Sequence, residues 1–331
     1  MLLDIMSHQI EQGAEVTFIL INKEHDPELL SRIHPQIKVV YINRPDGSKN
    51  PWWAIKLNRV LLRLSPEVIH FHNVKALGLV FKRKNIKHVF TAHCMGISSS
   101  LLKRADCVCA ISKAVKEDLQ KRCNIMPIVI YNGINVSNIT TQIAHKKSEK
   151  FKIVQVGRVE HQIKGQDILI NAVALLRAKG ITNISVDIIG AGNSENYLKE
   201  LVNSLGLNAN VNFLGAKSRV EIYKTLCLYD LLVQPSRDEG FGLTLAEGMA
   251  AKIPVLLSSL PGPMEVVAEG KYGTIFKSGD IEDCAKKIHD IIVEYNKYRS
   301  LAENEAFNYL KLNYDIAMTS RRYLEVYSGG F

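Results

Sequence analysis

The sequence predicts an α/β chain made of two doubly wound parallel sheets. Three observations predict it. Short apolar, β-branched runs alternate with helix-period segments along almost the whole chain, the pattern left by repeated strand–helix crossovers. Glycine turns follow several of these runs, as in Val156-Gly-Arg158 and Ile189-Gly-Ala-Gly192. A polar stretch at 140–150, rich in Lys, Gln, Ser and Thr, interrupts the alternation near its middle. With 331 residues the chain has the length of about two domains.

The elements follow in order. Helical periodicity over 3–12 ends at Gly13 and leads into a strand over 15–22. Strands are expected over 38–42, 66–72, 88–92, 107–111 and 128–131, with helices over 52–64 and 112–122. Beyond the polar stretch, strands are expected over 153–156, 185–189, 211–214, 231–234, 255–257 and 273–276. The helices between them are expected over 165–178, 194–204, 218–227, 243–251 and 280–294, and the segment 300–327 is helical again. The expected domains are 1–142 and 143–312, with 313–331 a C-terminal helix returning to the first domain.

Apolar content of 47% with 23% charged residues is that of an ordinary globular chain, and no apolar run reaches the roughly 18 residues of a membrane span. The start, Met1-Leu-Leu-Asp, is not a secretion signal. Six cysteines without metal-ligand spacing fit a reducing cytoplasm. The net charge of +9 is uneven: residues 1–145 carry 19 Lys and Arg against 11 Asp and Glu, whereas 146–331 are nearly balanced. Such a basic half attracts anionic partners. No nucleic-acid motif accompanies it, so an anionic membrane surface or a lipid phosphate is the expected partner, not nucleic acid.

The most informative stretch is Glu239-Gly-Phe-Gly-Leu-Thr-Leu-Ala-Glu247. It joins the apolar run 231–234 to a helix over 243–251, so strand, carboxylate, glycine turn and helix start occur in that order. Free backbone N–H groups at such a turn suit an anionic or hydroxyl-rich ligand, and both carboxylates are expected to face one crevice at the strand's carboxyl end. Upstream, Gly157-Arg158 and Lys164-Gly165 bracket a strand-to-helix turn, a plausible diphosphate clamp. Gly190-Ala-Gly192 resembles half of a dinucleotide fingerprint, but Glu195 stands where the third glycine belongs, which argues against a nicotinamide oxidoreductase.

Together with Phe213-Leu-Gly215, Pro235-Ser236, Ile253-Pro-Val255 and Glu265-Val266, these motifs resemble glycosyltransferase family 4, the retaining sugar-nucleotide transferases of the GT-B fold. The resemblance implies two Rossmann-like domains facing across a cleft. It implies Arg158 and Lys164, beside Gly157, on the diphosphate of a UDP- or GDP-sugar, and Glu247 on its ribose. It places Glu239 and the amides of Gly240, Phe241, Gly242 and Leu243 around the donor sugar, with no metal and no cofactor. Attack at the anomeric carbon would proceed with retention while the leaving diphosphate is stabilised electrostatically.

In the first half, His70-Phe-His72-Asn73 and Phe90-Thr-Ala-His93 resemble the family's cleft-lining strand ends, which implies a catalytic role for His93. His72, Asn73 and Asn132 are then cleft or acceptor-side residues. One departure stands out: the family opens with a strand and glycine-rich loop, whereas this chain starts inside the following helix. The first sheet is therefore expected to lack its first strand, leaving a gap or a repaired pairing, and a truncated start is suspected. The segment 51–64 holds both tryptophans with Lys56, Arg59 and Arg63. Its face of Trp53, Leu57, Val60, Leu61 and Leu64 reads as core, with an interfacial patch for a lipid-linked acceptor as the sharper alternative. The resulting expectation is a cytoplasmic glycosyltransferase at the inner face of the cell membrane, acting on a lipid-linked or surface glycan. The alternatives are an inactive sugar-nucleotide-binding relative and a sugar-nucleotide epimerase.

Overall fold

The computed structural model describes residues 1–25, 30–97, 100–141 and 150–330. The chain divides into two units, Met1–Gly133 with Ile316–Phe331, and Ile134–Asp315. The polar stretch at 140–150 follows the first junction rather than forming it, and its residues 142–149 lie outside the described ones. At the junction, Ile134 donates its N–H to the Tyr314 carbonyl at 2.9 Å and bridges Asp315 in parallel, within the second unit. Asp315 is extended (ψ 138°), which breaks the expected helix over 300–327 at that residue.

The first unit begins with helix α1 (Leu2–Glu11), then strands β1 (Thr17–Asn22) and β2 (Lys38–Arg44). Helix α2 (Trp52–Leu64) leads to β3 (Val68–Phe71) and a short helix α3 (Val74–Leu79) that the sequence reading did not include. Then come β4 (Lys87–Ala92), β5 (Cys107–Ala110), α4 (Lys113–Cys123) and β6 (Ile128–Val129). Ser112 starts α4 as its N-cap, accepting from the Val115 N–H, and Asn124 ends it in the left-handed region (φ 51°).

The strands form two separate parallel sheets, β1-β2 and β3-β4-β5-β6. Among the described residues the expected gap is present: β1 and β3 are neither paired with each other nor joined through a further strand. Helix α1 packs on both sheets. Its Ile5 joins Val89, Cys109 and Ile130, while Leu3 and Met6 join Ile37 beside Phe18. On α2, Leu57 and Leu61 are the fully buried apolar residues, each contributing about 1.5–3 kcal/mol by leaving water.

The second unit holds β7 (Phe151–Val156), α5 (His161–Lys164), α6 (Gln166–Ala178), β8 (Ile184–Ile189), α7 (Glu195–Ser204), β9 (Val211–Phe213) and α8 (Arg219–Thr225). It continues with β10 (Leu231–Gln234), α9 (Leu243–Ala250), β11 (Val255–Ser258), α10 (Pro261–Val266), β12 (Thr274–Phe276) and α11 (Ile281–Val293). Helices α12 (Tyr295–Leu301) and α13 (Phe307–Tyr314) flank a π-helical turn, and α14 (Ile316–Ser328) lies in the first unit. The sheet order is β12-β11-β10-β7-β8-β9, parallel throughout. Chain direction across the sheet reverses between β7 and β10, and the crevice outside the carboxyl ends at such a point is where open α/β sheets take ligands. Apolar residues of α6, α7 and α11, among them Ile168, Val173, Leu198 and Ile288, pack with the strands in one buried cluster.

Two glycines hold the turns at this point together. Gly165 (φ 66°) lies so close to the loop after β10 that a Cβ would stand 1.9 Å from the Pro235 carbonyl oxygen. A Cβ on Gly190 (φ 148°) would stand 1.8 Å from the Gly157 carbonyl oxygen. Only glycine permits both the backbone angle and the approach.

Candidate active site

At the β7 end, Gly157 and Arg158 leave the strand, and the turn is pinned from below. Gln155 on β7 donates to the Lys164 carbonyl at 2.8 Å, and Gln166 donates to the Arg158 carbonyl at 2.8 Å. Both glutamines are buried, so these bonds are shielded from water. The Arg158 side chain is exposed and meets Glu160 at 3.1 Å. Lys164, the last residue of α5, extends its ammonium to Glu239, which follows β10, at 2.7 Å. Gln234, the last residue of β10, donates to the same Glu239 oxygen at 3.1 Å and accepts from Thr244 on α9 at 3.3 Å.

A second tie fixes the loop. The Arg237 guanidinium grips Asp167 with two bonds of 2.7 and 2.8 Å and donates to the His161 carbonyl at 2.7 Å. Bidentate pairing of this kind sets direction as well as distance. Neither Gln234 nor Arg237 was singled out from the sequence. A polar residue closing the apolar run Leu231-Leu-Val was the available signal for the first.

The glycine turn then enters α9, with Gly242 as its N-cap in the left-handed region (φ 101°) and Leu243 as its first residue. Gly240 is crowded by α10, since a Cβ on Gly262 would meet its carbonyl oxygen at 2.4 Å. Phe241 is buried, edge-on to Tyr314 at 5.6 Å, so its ring is an anchor of the turn. Glu247 lies in the second turn of α9. Burial pushes its carboxyl up to about 7, against the opposing pull of Arg219 and a hydrogen bond from Tyr223. The two carboxylates therefore differ in their recorded partners: Lys164 and Gln234 for Glu239, Arg219 and Tyr223 for Glu247.

In the first unit, His72 just after β3 and His93 just after β4 meet side by side, Nδ1 to Nε2 at 2.9 Å. His70, on the same strand face as His72, bonds Tyr327 of α14 at 2.7 Å and Thr91 at 2.8 Å, and Thr91 bonds Tyr323 at 3.1 Å. Burial drives all three imidazoles below their usual range, with mutual repulsion adding to it for His70 and His72; His72 falls to about 3. At neutral pH all three rings are uncharged, so one ring of the His72–His93 contact donates and the other accepts. The α14 tyrosines that complete this network are far away in sequence and carried no motif. Asn73 caps α3 by accepting from the Lys75 N–H at 2.9 Å, and Asn132 is buried just beyond β6. Among the described residues, no group of three His, Cys, Asp or Glu is arranged to hold a metal ion.

A chain of two parallel α/β units, the second gathering basic and acidic side chains at its switch point, defines a GT-B transferase. Residues 137–306 match the family model of Glycosyl transferases group 1, residues 1–138 match that of Glycosyltransferase Family 4, and the chain belongs to this glycosyltransferase family. An uncharacterized glycosyltransferase of Methanocaldococcus jannaschii is 29% identical over 72% of this chain and 69% of its own length. A glycosyltransferase of Rickettsia africae superposes with a TM-score of 0.84 at 20% identity, over 98% of this chain and 93% of that one. Anabaena HepE, solved with UDP-glucose, superposes with a TM-score of 0.80 at 23% identity, over 99% and 94% of the two chains.

Proposed function

We propose that the protein transfers a sugar, with retention of anomeric configuration, from a nucleoside-diphosphate sugar to a lipid-linked or surface glycan at the inner face of the cell membrane. The observation that carries the reading is the junction of the β7 and β10 turns by Lys164 and Glu239 at the switch point of the sheet. In this reading Arg158 and Lys164 neutralise the leaving diphosphate, which is where charge develops in the reaction. The amides from Gly240 to Leu243 and the Glu239 carboxylate receive the sugar hydroxyls, and Glu247 accepts from the ribose. His93, backed by His72, is the catalytic histidine of this reading, and Asn73 and Asn132 serve the acceptor. HepE holding UDP-glucose supports a UDP-sugar over a GDP-sugar as the first donor to try.

A thermal-shift panel of UDP- and GDP-sugars, followed by NMR of the product's anomeric centre, tests it. Stabilisation by none of the donors, or an inverted product, would overturn the corresponding part. The interrupted sheet of the first unit favours a second reading, a relative that binds the donor without transferring it. Donor binding without release of nucleotide, at any acceptor tried, would select that reading, and an epimerised donor sugar would select neither.

A further inference from the structure

We propose that the outward face of α2, with the adjoining segment at Phe81, is the surface by which the first unit docks on an anionic lipid bilayer. This deepens the membrane part of the proposed function and is testable apart from sugar transfer.

The face read as core is core, and the docking face is the opposite one. Leu57 and Leu61 point into the core, with Trp53, Val60 and Leu64 half-buried beside them. The opposite side carries Trp52, Ile55 and Leu62, which remain 50%, 48% and 57% exposed. Positions 52, 55, 59 and 62 fall on one stripe of a helix, so Arg59 lies among these apolar residues, with Arg63 one step away. Neither arginine pairs with a carboxylate among the described residues, and no Asp or Glu occurs from 47 to 66.

The patch extends past the helix. Asn58 is buried and ties α2 to the chain after α3: it donates to the Leu79 carbonyl at 2.8 Å and accepts from the Phe81 N–H at 2.8 Å. That holds Phe81, 55% exposed, beside the helix, at the start of Phe81-Lys-Arg-Lys84. Lys56 donates to the Ile42 carbonyl at 2.8 Å and lies 5.5 Å from the Trp52 ring centre, which holds that indole against the helix start.

Large apolar side chains interleaved with unpaired arginines suit one surface best. The apolar groups enter the acyl boundary while the guanidinium groups meet lipid phosphates. A second copy of the chain fits poorly, because a two-fold contact would set Arg59 and Arg63 against their own kind.

The experiment is flotation of the full chain with vesicles of phosphatidylcholine alone and of an equimolar mixture with phosphatidylglycerol, at low salt. The wild type is expected to float with the mixed vesicles and not with the neutral ones. Arg59→Glu with Arg63→Glu should lower the bound fraction about tenfold or more. Ile55→Ser with Leu62→Ser should do the same while the charge is kept. Each variant's urea midpoint and UDP-induced thermal shift should match the wild type, so loss of docking is separated from loss of fold or of the donor site. No flotation of the wild type, or variants that float equally well, would overturn the proposal. So would a dimer in sedimentation that the serine variant dissolves. A wild type that docks but takes no nucleotide sugar would leave docking standing and remove the donor reading alone.

Discussion

The Lys164 ammonium lies 2.7 Å from the Glu239 carboxylate, so two side chains 75 residues apart join the turns leaving β7 and β10. Each leaves the other oriented and partly neutralised before any ligand arrives. Glu239→Gln removes the charge and keeps the shape. Turnover is expected to fall about 10²–10³-fold, the usual loss when one electrostatic group at a reacting centre is removed. Steady-state nucleotide release from the donor measures it, and unchanged turnover would take Glu239 out of the chemistry.

Arg158→Ala and Lys164→Ala each delete a cation from the turn proposed to hold the diphosphate. UDP binding by calorimetry should weaken by about 1.5–3 kcal/mol in each case. Equal affinity in either variant would assign the diphosphate to other groups.

Glu247 gives a pH signature. Its folded-state carboxyl titrates near 7, above its ordinary value of 4.5, so the folded chain holds a proton that the unfolded chain releases between those limits. The stabilisation is complete below about 4.5 and is lost as pH rises through 7. Glu247→Gln, uncharged throughout, should therefore be more stable than the wild type at pH 8 by about 3 kcal/mol, while its UDP-induced thermal shift shrinks. Urea unfolding at pH 8 and pH 5 checks the sign. A variant less stable at pH 8 would contradict it.

The histidine cluster has the opposite sense. His72 titrates near 3 when folded and near 6.5 when unfolded, so the unfolded chain takes the proton first. Stability is full above 6.5 and falls on acidification towards 3. For one such group the slope is about 1.4 kcal/mol per pH unit. His72→Gln should flatten the urea-midpoint profile of the first unit between pH 6 and pH 4. It should also lower turnover more than donor affinity if His72 acts by holding His93.

Gly165→Ala forces a side chain into the Pro235 carbonyl at a backbone angle that disfavours it. A loss of about 3 kcal/mol in unfolding free energy is expected, larger than any exposed Gly→Ala change. Gly180→Ala, at φ 86° with open space around it, is the control for the backbone term alone.

Much of this was legible in the residues. Periodicity placed the six strands of the second unit, because each is a short apolar-rich run; β10 and β11 are buried at every position. That the candidate residues of that unit lie at strand ends was legible too: the turns recur there, and glycine is needed where turn meets turn. Helices α3 and α10 were missed because each has only six residues, too short for a periodic signal. The partner of Glu239 was not legible, since an ion pair across 75 residues depends on which strands lie side by side. The inward face of α2 was legible from its period, and Leu57 and Leu61 are buried there, whereas the exposed stripe of Trp52, Ile55 and Leu62 carried no pattern of its own.

The interruption of the first unit's sheet has a dynamic consequence. A two-stranded sheet is marginal by itself, and β1-β2 is linked to the rest of its unit through the apolar side chains of α1 and through Lys56 of α2, which donates to the Ile42 carbonyl. That helix acts as a splint, with Leu3 and Met6 on one side of the break and Ile5 on the other. Native-state hydrogen exchange should therefore find Phe18 to Leu20 opening as a separate cooperative group with α1, well before the amides of β7 and β10. On that outcome the half of the molecule with the fewest motifs is also the half that opens first.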